Sequence, residues 1–340
     1  MKRQWTDEEL EAHFTLQPAE LDLVGDSKTD HNLLGFAVLL KYFQHEGRFP
    51  SQKQDIPAAL TLHLAHQISV APEELLAYDW EGRMIKTNRA AIRTFLGYRE
   101  TTRQDEEALI TWLCQEVLGE HQQEDALVAT AYHHYQNLHI EPPTPDRLSR
   151  LLHTALHRFD EQFCASISHQ LAPETRARLD ALLTTTLPEE PSSAEVSTEA
   201  APDQEAAAPA QRSRSAWQHL KQDAGQMNLE HTLEEIAKLE RIEELGLPAT
   251  LFAQTSPRLL QQYRQRIVIE EVHEIRRHPD ALRWTLLAAS CWLRRQEIID
   301  TLVDLLIDMA HHLSTKAERR VEQAFVRDIK KVSGKTNLLF

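Results

Sequence analysis

Glycine is scarce in this chain, 9 among 340 residues, and no Asn-Gly or Asp-Gly pair marks a tight hairpin between alternating strands. With turn chemistry this thin, and with Ala, Leu, Glu, Gln and Arg abundant, the expected fold is all-α. The glycines form neither a G-x-G-x-x-G nor a G-x-x-x-x-G-K-[ST] pattern, which argues against a phosphate-cradling nucleotide site. Cysteine is equally sparse. Cys114, Cys164 and Cys291 are odd in number, widely spaced and set in apolar helical patterns, as reduced core residues would be. No apolar run approaches the ~20 residues of a membrane span, and Met1-Lys2-Arg3-Gln4-Trp5 leads straight into a charged helix instead of an apolar signal core. A soluble, cytoplasmic protein without membrane contact is expected.

Site chemistry is also thin. His63 with His66, His133 with His134, and His153 with His157 are paired, but no His-Glu-x-x-His, Cys-x-x-Cys or third ligand completes a set. No metal, cofactor or catalytic residue is therefore expected. The carboxylates read as solvated helix faces.

Charge is plentiful and uneven. The net charge is −15, yet residues 187–210 alone carry Glu189, Glu190, Glu195, Glu199, Asp203 and Glu205 with no Lys or Arg. Four prolines and no aromatic residue occur there, too little apolar surface to offset the entropy of ordering. Residues 187–213 are thus expected to be a disordered acidic linker. Residues 82–103 run the other way, with Arg83, Lys86, Arg89, Arg93, Arg99 and Arg103 against Glu100 alone. Such a local patch bears on partners more than the total does.

Periodicity on both sides of the linker is helical. Thr6-Asp7-Glu8-Glu9 is a capping box, residues 32–45 place Leu33, Phe36, Leu40 and Phe43 on one face, and helices are expected near 55–67, 82–96, 106–118 and 125–137. Thr144-Pro145-Asp146 is a strong start for a further long helix. Beyond the linker, helices are expected at 229–245, 258–269, 281–309, the last open to an interruption, and separately at 316–332. Trp284, Leu287, Cys291, Ile298, Leu302, Leu305 and Leu306 form a broad apolar stripe suited to a bundle or a subunit interface. The expected domains are residues 1–100, 101–186, the linker 187–213, and 214–340.

The helix over residues 82–96 sets an apolar face of Ile85, Ile92 and Phe95 against Arg83, Lys86, Arg89 and Arg93, with Asn88 among the cations. Such a helix can dock on its neighbours and lie in a major groove, Lys and Arg reaching phosphates or guanine and Asn pairing with adenine. A plain solvated basic face fits the same composition. The helix after Thr144 carries Arg147, Arg150 and Arg158 among leucines; its N-terminus suits phosphate, but a core helix with snorkelling arginines fits the pattern better.

Several segments, taken in order, resemble one family. They are His31-Asn32-Leu33-Leu34-Gly35-Phe36, Leu39-Leu40-Lys41-Tyr42-Phe43, Gly47-Arg48-Phe49-Pro50, Tyr78-Asp79-Trp80 with Gly82-Arg83, Leu96-Gly97-Tyr98-Arg99 and Pro142-Pro143-Thr144-Pro145-Asp146-Arg147-Leu148. Beyond the linker come Ile236-Ala237-Lys238-Leu239-Glu240-Arg241-Ile242, Tyr263-Arg264-Gln265-Arg266 and Cys291-Trp292-Leu293-Arg294-Arg295. Their order and spacing resemble the N-terminal part of Tn-three-family replicative transposases. The resemblance implies tandem helix-turn-helix-like domains that bind the terminal inverted repeats of double-stranded DNA, then a long-helix dimerisation bundle. It also implies a homodimer, or pairing with a catalytic transposase portion, the RNase-H-like domain lying downstream in the family. Arg83, Lys86, Asn88, Arg89, Arg93, Arg99 and Arg103 are the first candidates for DNA contact, with Arg48, Lys53, Arg147 and Arg150 behind them. A helical interaction module that regulates a full-length transposase is the alternative.

Overall fold

The computed structural model describes residues 2, 4–25, 29–187, 214–222 and 229–336, so residues 188–213 of the expected linker lie outside the described residues. Among the described residues the chain is almost wholly α-helical, and its four strands are two residues each. It divides into two compact units, residues 1–159 and 160–340.

The first unit opens with α1 (Asp7–Phe14), where the Thr6 hydroxyl accepts from Glu9 N and the Glu9 carboxylate accepts from Thr6 N. Helix α2 (Pro18–Gly25) and the central α3 (Asp30–Glu46) follow, and every residue of α3 from Leu34 to Phe43 is buried. That total burial includes Lys41, whose ammonium lies 2.6 Å from the Glu20 carboxylate. Helix α3 stops at Gly47, which has φ +68°, a conformation that costs glycine little. A Cβ there would fall on the Gln136 side chain.

Helix α4 (Ala58–Gln67), a 3-10 turn (Pro72–Leu76) and α5 (Arg83–Leu96) complete a core of Phe14, Leu39, Leu40, Leu60, Leu64 and Ile92. A second core of Leu109, Leu113, Leu127, Ala131, Tyr135 and Leu152 joins α6 (Arg103–Trp112), its π-helical continuation Leu113–Val117, α7 (Glu124–Asn137) and the start of α8 (Pro145–Gln170). Strand β1 (Arg99–Glu100) pairs in parallel with β2 (Ile140–Glu141), so the chain leaving α5 is stitched to the chain entering α8.

In the second unit, α8 ends three residues before Pro173, which opens α9 (Pro173–Thr184); proline disfavours helical backbone in the residue before it, here Ala172. Strands β3 (Thr186–Leu187) and β4 (Arg214–Ser215) pair antiparallel. Then come α10 (Ala216–Lys221), α11 (Leu229–Glu244), α12 (Pro257–Val268), the short α13 (Val272–Ile275) and α14 (Asp280–Thr336).

One expectation for this unit is corrected. The break expected between residues 309 and 316 is absent, and α14 runs unbroken for 57 residues, roughly 85 Å. The stretch Ala310-His311-His312-Leu313-Ser314-Thr315 holds neither Gly nor Pro, and the Thr315 hydroxyl donates back to His311 O at 2.9 Å within the helix. The apolar stripe, suited to a bundle or a subunit interface, is largely taken up inside the unit: Leu287, Cys291, Ile298 and Leu305 are buried, and of its members only Leu306 is well exposed. The apolar side chains that do remain outside lie further along, at Val303, Ile307, Leu313, Val321, Phe325 and Ile329.

Candidate nucleic-acid interface

Helix α5 starts where Asp79 folds the chain back, its carboxylate accepting from Glu81 N at 3.0 Å and Gly82 N at 2.9 Å. A Cβ at Gly82 would strike that carboxylate, which explains the glycine. No acidic residue follows in the first turn. Ile85, Asn88 and Ile92, spaced i, i+3 and i+7, are the buried residues of the helix and fix which side faces the core.

Asn88 therefore lies on the core side of the helix and not among its exposed cations. Only 5% exposed, it donates its side-chain amide to Tyr78 Oη at 2.9 Å. Burial pushes the Tyr78 phenol up to about 12, so it stays neutral and serves as a hydrogen-bonding anchor. Two of the arginines are likewise tied down. The Arg89 guanidinium lies 5.1 Å over the Phe49 ring and donates to Pro50 O at 3.2 Å; burial lowers its pKa, although an arginine stays charged at any physiological pH. Arg93 bridges Glu141, at 2.7 Å, and Glu100. Burial raises the Glu141 carboxyl above its ordinary value, against the pull of Arg93.

What α5 leaves in solvent is a narrow stripe of Arg83, Lys86, Thr87, Ala90 and Thr94. Among the described residues neither Arg83 nor Lys86 has an ion-pair partner. Both threonine hydroxyls are turned inward, Thr87 donating to Arg83 O at 3.3 Å and Thr94 to Ala90 O at 3.0 Å. Beside the stripe lie Met84 and Phe95, exposed by 45% and 40%. Phe95, expected on the docked face, is thus on the open side, and Leu96 and Tyr98 beyond it pack on the core instead.

The remaining candidates fall into two groups. Arg99 is held by Asp105 through contacts of 2.6 and 2.7 Å, and Arg48 lies 5.5 Å over the Tyr132 ring and 3.9 Å from Glu46. Lys53 is half-buried in the 3-10 turn Lys53–Asp55. By contrast Arg103, Arg147 and Arg150, all exposed, converge on one acid. Arg147 donates its Nε to Glu106 at 2.9 Å, and this bond, with the charges of Arg103 and Arg150, holds the Glu106 carboxyl below its usual range. Glu107, beside it, feels Arg103 and Arg158 in the same way. Sequence order concealed the neutralising partners, because Glu141 lies 48 residues from Arg93 and Glu106 lies 41 from Arg147. Asn88, by contrast, was betrayed by its own spacing from Ile85 and Ile92.

Among the described residues, no three His, Cys, Asp or Glu side chains are grouped to hold a metal ion, and no helix is long and apolar enough to cross a membrane. Cys164 and Cys291 are buried and Cys114 is half-buried, all as free thiols.

Residues 1–155 match the family described as Domain of unknown function (DUF4158). The chain is 22% identical over 336 residues to the transposase of transposon Tn501 from Pseudomonas aeruginosa, an alignment covering 98% of this chain and 31% of that protein. The chain is similar to the N-terminal portion of Tn-three-family transposases. The transposase of Tn3926 from Escherichia coli gives the same picture, 22% identity over 97% of this chain and 31% of its own length. The transposase of insertion sequence IS1071 in Tn5271, from Comamonas testosteroni, is 29% identical over 122 residues, 35% of this chain and 13% of that protein. The chain therefore spans less than a third of the length of these transposases. The stripe on α5 and the Glu106 cluster both lie within the matched residues 1–155.

Proposed function

We propose that the chain acts in DNA transposition by binding the terminal inverted repeats of a transposon, as the end-binding portion of a transposase. In this reading it works in the cytoplasm, on duplex DNA, and leaves strand cleavage to other parts of the machinery. One observation carries it. In a chain of net charge −15, where Arg93, Arg99, Arg147 and Arg158 are each paired with an acid, α5 presents Arg83 and Lys86 exposed and without an ion-pair partner among the described residues, with no acid in its first turn. Unpaired cations at the start of an exposed helix are what a phosphate backbone attracts. The Arg103, Arg147 and Arg150 group supplies a second contact of the same kind, while Arg89 and Arg93 support the fold behind the surface and Arg99, itself exposed, is tied to Asp105. A mobility-shift titration of the chain with the element's terminal repeat and with a scrambled duplex, repeated across salt concentrations, tests this. Preferential binding to the repeat, with affinity falling steeply as salt rises, is expected; equal indifference to both at low salt contradicts it.

A second reading has its own support. The exposed apolar residues of α14 from Val303 to Ile329 suit a helical partner, so the chain would pair as a homodimer or with a full-length transposase and regulate it. Light scattering after size exclusion distinguishes a dimer from a monomer.

A further inference from the structure

If α5 faces the duplex, as the proposed function requires, the groups it can show to base edges are few, and they narrow the sequence it can read. The stripe holds no amide and no carboxylate. Asn88, its one amide, is spent on Tyr78, so the bidentate pairing with adenine that Asn or Gln provides is missing. The two threonines donate their hydroxyl protons to their own helix, which leaves methyl groups as their outward feature. Ala90 adds another methyl and Met84, 45% exposed beside them, an apolar arm. Polar reach is confined to Arg83 and Lys86 in the first turn.

We propose that α5 selects guanine with Arg83 and Lys86 and selects thymine by its 5-methyl group with Ala90, Thr94 and Met84. Arginine and lysine are the donors that match the two acceptors of guanine in the major groove, and thymine alone among the four bases carries a methyl there. From Arg83 to Thr94 the helix rises roughly 16 Å, the length of about five base-pair steps, so both features fall in one short site.

The test is a binding selection with the full chain on a random-core duplex pool, followed by replacing each thymine of the selected duplex with deoxyuridine. Deoxyuridine pairs identically and lacks only the methyl. The expected result is a selected site that combines guanine with thymine and loses affinity by about fourfold for each contacted thymine replaced, the worth of one buried methyl. Thr94→Ser, which keeps the hydroxyl and its bond to Ala90 O, is expected to lose the sensitivity at one thymine position while binding the others as before. Equal affinity for the thymine and deoxyuridine duplexes overturns the methyl readout and leaves salt-dependent end binding standing. Failure to enrich any duplex overturns both.

Discussion

Arg93 and Glu141, 48 residues apart in the chain, meet at 2.7 Å and join the two cores of the first unit beside the β1 and β2 pairing. The Arg93 side chain is 12% exposed and that of Glu141 18%, so neither charge has much water to replace its partner. Removing the arginine is the worse loss. Arg93→Ala strands a largely buried carboxylate and is expected to cost about 3 kcal/mol in urea denaturation. Glu141→Gln keeps a hydrogen-bond partner for the guanidinium and should cost less. Because burial raises the Glu141 pKa above its ordinary 4.5, its ionisation weighs against the fold. Its contribution to stability is complete below that value and declines as pH rises through the folded pKa, a slope absent in Glu141→Gln.

The central helix offers a stricter case. Lys41 and Glu20 are 4% and 5% exposed, and the Glu20 carboxylate also accepts from Gln44 Nε2 and Gln17 N. Burial pushes Glu20 up, and Lys41 with these donors outweighs it, leaving a carboxyl below its usual range. Glu20→Ala is expected to lower stability by about 3–5 kcal/mol, and adding Lys41→Met should restore much of it. If the double variant is no more stable than the single one under urea, the pair is not the source of the loss.

These two pairs mark where sequence reading stops. The helices were legible because apolar spacing and caps are local: Thr6 and Glu9 cap α1, and Gly47 and Gly97, with φ of +68° and +72°, end α3 and α5 where the apolar pattern ends. The basic character of residues 82–103 was legible too, but which cations stay free was not. That depends on Glu141, Glu106 and Phe49, brought up by tertiary packing. A mid-helix Lys such as Lys41 gives no local sign that it will be buried, since its partner comes from α2.

Acid sensitivity should concentrate at Asp105. Its carboxylate accepts from both Arg99 nitrogens and from Thr102 N, the arginine first among the causes that hold it well below the usual carboxylate range. A depressed folded-state pKa means the stabilisation is intact above its ordinary 3.8 and is lost as pH falls through the folded value. Asp105→Asn is therefore expected to flatten the acid side of the denaturation midpoint against pH. An unchanged profile would show that Arg99 is not committed to Asp105 in solution and is available for other partners.

DNA binding should separate the free cations from the committed ones. Arg83→Ala and Lys86→Ala are each expected to weaken binding and to relax its preference for guanine, whereas a cation that only grips a phosphate lowers the slope of log affinity against log salt by about one when removed. Arg103→Ala and Arg150→Ala, both exposed, should lower that slope if their cluster grips the backbone. Arg89→Ala acts differently. With its guanidinium packed over Phe49 and bonded to Pro50 O, it should lower the denaturation midpoint while leaving the salt slope of the folded protein unchanged. A drop in salt slope for Arg89→Ala at full stability would mean that the guanidinium leaves Phe49 when DNA arrives.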